Sequence, residues 1–382
     1  MATARAAGRR HGVNRGACGA ARGMDRRLRI AGIAGALAVS AAILLSPSQG
    51  VPLPEPTTTP EGGSGSVAVL ATGLDEPRAI AVSGDAVYIA ERDGAIRAVE
   101  GGSLSERALI TLRAAGRHDA GLVGLAAHPD PPAGPALYAY VTYEEGGELW
   151  NRVMWIRHGD GRAVDVGTVI DGLPAAEFAN GGAMAFGPDG MLYVGTGSAP
   201  GSPGEGGPLA GKILRVDPDG SVPPDNPVAG SAVYASGFRD PRGIAWGVDG
   251  AMLVADAGPS KNDEITIVSA GAHHGWPDEV CSGGVHVGAA ACFDPALGIG
   301  GIAVYAGGPL GGAGAVMAAS LRAGTIHSVD VSTGEQGTVF GGLGRMRDVA
   351  AAPGGSLYAI TSNTDSGGFA GGGDDRLVRV DR

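Results

Sequence analysis

The 382-residue chain carries 70 glycines and 25 prolines with few aromatics, yet 44% of it is apolar, which argues for a packed core of short strands and tight turns and against a low-complexity chain. Its formal charge is −11, and eight arginines against one aspartate fall within residues 1–29, so the remaining body is more acidic still. That balance argues against a nucleic-acid partner.

In chain order, Met24-Asp-Arg-Arg-Leu-Arg29 precedes an uncharged apolar run from Ile30 to Leu45. A basic stretch before an apolar one reads as an export signal. The run is short of the roughly 20 residues that a spanning helix prefers, and no clear small-x-small cleavage site follows it. Residues 1–45 are therefore expected to direct export as a cleaved signal peptide or a retained membrane anchor, with Met1 or Met24 as the start. Residues 46–66 hold Pro, Thr, Gly and Ser with hardly a large apolar side chain, the composition of a linker.

From Val67 to residue 382 one phrase recurs: a polar turn, an apolar strand, a Gly/Pro/Asp corner and a second apolar strand. Met184-Ala-Phe-Gly-Pro-Asp-Gly-Met-Leu-Tyr-Val194 and Gly243-Ile-Ala-Trp-Gly-Val-Asp-Gly-Ala-Met-Leu-Val254 are two instances. Such pairs read as hairpins. Their recurrence, with no long helix among them, predicts an all-β propeller, for which six blades of roughly 50 residues suit four antiparallel strands each. Paired β-sandwiches are the competing architecture, but they do not repeat a phrase in this way. Cys281 and Cys292 bracket a Gly-rich loop, and in an exported body they read as a local disulfide or as two free thiols.

An ordered series of motifs runs through this body. It comprises Gly121-Leu-Val-Gly-Leu-Ala-Ala-His-Pro-Asp130, Asn151-Arg-Val153, Ala179-Asn-Gly-Gly182 leading to Gly187-Pro-Asp-Gly190, and Gly211-Lys-Ile-Leu-Arg215. Gly237-Phe-Arg-Asp-Pro-Arg-Gly243, Asp263-Glu-Ile265, Gly275-Trp-Pro277, Ser320-Leu-Arg322 and Arg345-Met-Arg-Asp-Val349 follow. The series, from about Leu70 to Val380, resembles the soluble quinoprotein glucose/sorbosone dehydrogenases, which are six-bladed propellers. The resemblance implies oxidation of the anomeric carbon of an aldose or related sugar, with pyrroloquinoline quinone (PQQ) as hydride acceptor, Ca²⁺ as Lewis acid and an external electron acceptor.

PQQ is a flat ortho-quinone with three carboxylates, so a site for it needs several cations. By the resemblance these are Arg239 beside the quinone, Arg322 in place of a lysine, and the pair Arg345 and Arg347, which face one side of a strand. Asp240 stands where the family has asparagine; a carboxylate beside a trianion is unfavourable unless a cation neutralises it, and Arg239 and Arg242 are at hand. The resemblance assigns Ca²⁺ to backbone carbonyls in Asp256-Ala-Gly-Pro259, hence Gly258 and Pro259, while Asp263 and Glu264 could serve a structural ion or be ordinary acids.

The departures concern proton transfer. The family's general-base histidine is Ala179 here, and the aspartate that orients it is Ser198. Loss of a general base costs about 10²–10⁴-fold. His118 and Asp119, in Arg117-His-Asp-Ala-Gly121, are the candidates for a relocated base, with His273 and His274 behind them. The alternative is a non-catalytic extracytoplasmic propeller that binds a sugar, a cell-wall glycan or a protein.

Overall fold

The computed structural model describes residues 66–381, apart from 131–135, 203, 279–280, 282–287, 309 and 353–354. The expected export segment and the linker up to residue 65 lie outside the described residues. The rest is all-β: twenty-five strands, β1 to β25 along the chain, form six antiparallel sheets, and no helix occurs among the described residues.

Each sheet begins with an inner strand. These are β2 (Pro77–Ser83), β7 (Leu122–Ala127), β11 (Gly181–Phe186), β15 (Pro241–Trp246), β19 (Ile299–Val304) and β23 (Met346–Ala351). Neighbouring inner strands pack on one another in order, and β23 returns to β2, so the ring closes. The sheets are the six blades of a propeller, each a meander of four strands, with one further short strand in the first. The last blade is completed by the first strand: β1 (Val67–Thr72) pairs with β25 (Arg376–Val380), joining the two ends of the domain by main-chain hydrogen bonds.

Local chemistry explains the meander. At the Asp189-Gly190 and Asp249-Gly250 corners the aspartate Oδ1 accepts the amide of Met191 (3.1 Å) or Ala251 (3.0 Å), and the glycines turn with φ of 78° and 83°, a conformation that costs glycine little. Apolar side chains interlock between successive blades. Tyr88, Ile96, Leu125, Leu137 and Ile156 fill the space between the first two, and Leu253, Ile265, Ile302 and Val316 that between the fourth and fifth. Cys281 and Cys292 form a disulfide.

Carboxylates staple the ring from within. Asp240 Oδ1 accepts the Gly181 amide (2.9 Å), Asp263 Oδ2 that of Ile299 (2.9 Å) and Asp348 Oδ2 that of Ile80 (2.8 Å). Each reaches from one blade to another's inner strand, Asp240 and Asp263 to its first residue and Asp348 to its middle. Asp348 fits because residue 301 is glycine: a Cβ there would lie 1.5 Å from Asp348 Oδ1. Asp348→Ala should therefore lower stability by about 2 kcal/mol, the cost of a buried amide without its acceptor. Gly301→Ala should be more damaging in the wild type than in Asp348→Ala, and thermal melts of the two single variants and the double variant measure that coupling.

Candidate active site

All six inner strands start at the same end of the propeller, and the segments ahead of them enclose a cavity of about 560 Å³ there. Arg239, Asp240, Arg322, Arg345, Arg347, Gly258, Pro259, His118 and Asp119, scattered over 230 positions of sequence, all line it. Asp263 and Glu264 do not. Asp263 is fully buried, and its oxygens accept the amides of Gly258 (2.8 Å) and Ile299; Glu264 accepts the amide of Cys281. Among the described residues no cluster of three or more His, Cys, Asp or Glu side chains could hold a metal ion.

Two further arginines, Arg78 and Arg242, complete the lining, so six guanidinium groups face three aspartates, Asp119, Asp240 and Asp365. The cavity thus holds an excess of three positive charges in a protein of net charge −11. Arg78, Arg242 and Arg347 occupy the same place in three repeats, at the head of β2, β15 and β23, so the propeller's symmetry turns them toward one another. Arg78 is 6% exposed, and its Nε and Nη1 have no hydrogen-bond partner; the Nε atoms of Arg242 and Arg347 are likewise unpartnered. Burial and then the neighbouring Arg78 and Arg242 push Arg347 down to about 9. Arg242 is raised instead: burial opposes its charge, but Asp240 (2.6 Å) and Asp119 (2.9 Å) outweigh that.

Asp240 is neutralised as the sequence required, by Arg242, while Arg239 Nη1 lies 3.9 Å from it and donates to the Ala257 carbonyl (2.7 Å). Asp365 Oδ2 takes both Arg345 (3.1 Å) and Arg347 (3.2 Å). Arg322 donates to the carbonyls of Ser260 (3.2 Å) and Pro259 (3.3 Å), which brings it onto the loop that carries Gly258 and Pro259. Asp256, at the head of that loop, accepts the amides of Arg239 (2.8 Å) and Asp240 (2.6 Å), and burial pushes its carboxyl up to about 7.

On the proton-transfer side, Ala179 is 1% exposed with φ of 56°, and its carbonyl accepts the Ala199 amide (3.1 Å). Ser198 donates its amide to the Arg239 carbonyl (2.7 Å). The two departures from the family pattern therefore adjoin each other and Arg239. Burial would raise Asp119, but Arg242, Arg347 and Arg78 together hold it down at about 2, so it is a hydrogen-bond acceptor and a weak base. His118 is half exposed, 5.0 Å centroid to centroid from Phe178 and 3.9 Å from the Glu177 carboxylate. His274 is 4% exposed and stacked on Phe238, outside the cavity lining, and burial pushes it down to about 4. Its neighbour His273 accepts the Gly275 amide through Nδ1 (3.1 Å).

Arg78, Asp365 and Phe178 are among the lining residues that sequence reasoning missed. Arg78 had a signal: Pro77-Arg-Ala-Ile80 repeats Pro241-Arg-Gly-Ile244, with an arginine breaking an apolar strand at the same place. The depressed Asp119 gives a stability term that is present above its ordinary value of 3.8 and lost as pH falls through about 2, worth about 2 kcal/mol. Between about pH 4.5 and 2 the thermal midpoint of the wild type should fall more steeply than that of Asp119→Asn.

A family model for glucose/sorbosone dehydrogenases matches residues 74–369. Among solved structures, a putative oxidoreductase (glucose dehydrogenase) from Thermus thermophilus superposes with a TM-score of 0.73 and 35% identity over 83% of this chain and 99% of that one. The PQQ-bound aldose sugar dehydrogenase of Streptomyces coelicolor gives 0.72 and 30% over 85% and 99%. Quinoprotein glucose dehydrogenase B of Acinetobacter calcoaceticus is 29% identical over 190 residues, which take in 41% of this chain and only 40% of that protein. With the family model spanning well over half of its length, the chain belongs to the glucose/sorbosone dehydrogenase family.

Proposed function

We propose that this protein is a PQQ-dependent oxidoreductase that oxidises an aldose or related sugar at its anomeric carbon. The observation that carries the proposal is the convergence of Arg239, Arg322, Arg345 and Arg347, joined by Arg78 and Arg242, on one cavity whose excess of three positive charges matches the three carboxylates of PQQ. Buried guanidinium nitrogens without partners are the donors that such a ligand would satisfy. PQQ, when bound, supplies a two-electron acceptor for hydride. Arg345, Arg347 and Arg322 would hold its carboxylates, and Arg239 would stabilise charge developing on quinone oxygen. Calcium would take the Gly258 and Pro259 carbonyls, with Arg322 released from Pro259 toward the cofactor.

The residues of this chain do less for the proton. Asp119 can orient a sugar hydroxyl but binds a proton weakly, and Ala179 binds none. The hydroxyl proton therefore leaves to water, and turnover should be slow and rise with pH without an inflection near the histidine range. The chain enters the propeller at the end opposite the cavity, because Val67 pairs with Val380 beside the outer corners. Export, and an external electron acceptor for the reduced cofactor, belong to the same proposal.

Titration of the full-length protein with PQQ and Ca²⁺, followed optically, should show saturable one-to-one binding, weakened at least about tenfold in Arg347→Ala. A dye-coupled assay over an aldose panel should then show slow turnover that a calcium chelator abolishes. Ala179→His combined with Ser198→Asp should raise kcat by about 10²-fold and introduce an acid limb. Absence of PQQ binding would overturn the proposal. Binding without turnover would favour the second reading, a propeller that recognises a glycan or protein, which the missing base at Ala179 supports.

A further inference from the structure

The cavity lining divides by blade. Arg239, Arg322, Arg345 and Arg347, the arginines assigned above to the cofactor, stand in or just ahead of the fourth to sixth blades, as does the loop that carries Gly258 and Pro259. The other half of the wall comes from the first three blades and holds Asp119 and Phe178. Arg78, at the head of β2, is the one arginine of that half among the described residues.

Arg78 is buried and short of partners. Its Nη2 donates to the His118 carbonyl (3.1 Å). The Asp119 and Glu76 carboxylates each stand 3.6 Å away, beyond hydrogen-bond reach. Both are engaged elsewhere: Arg242 holds Asp119 Oδ2 (2.9 Å) and Arg92 holds Glu76 Oε1 (2.5 Å). Nε and Nη1 of Arg78 have no hydrogen-bond partner. Burial pulls this guanidinium below the ordinary arginine value; Asp119 opposes that, and Arg242 and Arg92 add to it. A buried charge in such a state is costly until an anion joins it.

The charge balance points the same way. The cavity's excess of three positive charges is met by the three carboxylates of PQQ, and the calcium that acts with PQQ brings two further positive charges. The loaded site would therefore still attract an anion, and Arg78 is the guanidinium left to meet it. We infer that the substrate is an acidic aldose, a sugar that bears a carboxylate or phosphate group besides its anomeric carbon, and that Arg78 selects it. This rests on the function proposed above and names its substrate class. Asp119, on the same half of the wall, is left to accept from a sugar hydroxyl. The rest of a protein of net charge −11 would repel such a ligand, so the attraction is confined to the cavity.

The test is calorimetric titration of the full-length protein, saturated with PQQ and Ca²⁺, with glucose, glucuronate and glucose-6-phosphate. At least one acidic sugar should bind about tenfold or more tightly than glucose, and the advantage should shrink as salt is raised; the tighter of the two tells carboxylate from phosphate. Arg78→Gln should bring the affinities within about twofold of one another, Arg78→Lys should restore part of the advantage, and Arg345→Gln, on the cofactor half, should keep it. Circular dichroism checks that each variant is folded. Acidic sugars that bind the wild type no more tightly than glucose would overturn the inference, whatever the variants do. So would an advantage that survives in Arg78→Gln, or one lost equally in Arg345→Gln, since the charge of the whole cavity would then be responsible. The same titrations without PQQ separate this inference from the function on which it rests. In a protein unable to bind PQQ, an advantage that depends on Arg78 would sustain recognition of an acidic sugar while removing the oxidoreductase reading.

Discussion

Three arginines meeting at the head of the propeller, Arg78 and Arg347 buried and Arg242 partly so, set the terms for the rest of the site. Arg78, Arg242 and Arg347 take the same place in three repeats, and closure of the ring brings their charges together where water is scarce. Like charges in such surroundings repel strongly, and Arg347 is depressed first by its burial and then by that repulsion from Arg78 and Arg242. Asp119 lies within the field of all three, with Asp240 and Asp365 at the sides. Partial compensation of this kind leaves a cavity suited to an anion, in a protein whose overall charge would repel one.

The fold makes that concentration of charge tolerable. Its core is divided among the gaps between blades, so the axis is free to be polar. The inner strands are held by main-chain pairing and by Asp240, Asp263 and Asp348, which accept amides from neighbouring inner strands. Asp240 and Asp263 serve twice over. Asp240 fixes the head of β11 and neutralises Arg242; Asp263 fixes β19 and shapes the turn at Gly258. Asp263, offered by the sequence as a candidate ligand of a structural ion, is thus a fastener of the scaffold.

The cavity keeps the arginines that the family resemblance assigns to a quinone, while the positions of the family's base and its orienting carboxylate are Ala179 and Ser198. Asp119 illustrates why a carboxylate in the right place is a poor substitute for histidine: the arginines that stabilise its charge also remove its basicity. His118 is half exposed and lies against Phe178 and near the Glu177 carboxylate. Retained electrostatics with a missing base is the combination on which the proposed slow oxidoreductase rests.

The repeated strand–corner–strand phrase was sufficient for a propeller, because alternation and Asp-Gly corners are local properties, and the family resemblance supplied its six blades. The motif order located Arg239, Arg322, Arg345, Arg347, Asp119, Gly258 and Pro259, which the fold does gather on one cavity. Tertiary structure alone decided which charge pairs with which, since Arg242 is 123 positions from the Asp119 it grips. It also decided that Asp263 and Glu264 spend their oxygens on backbone amides, that Cys281 and Cys292 are joined, and that Arg78 and Asp365 belong to the site. The reason is geometric: a strand's own sequence fixes its period and its turns, whereas the neighbours at the axis of a propeller come from blades far apart in the chain, brought together only when the ring closes.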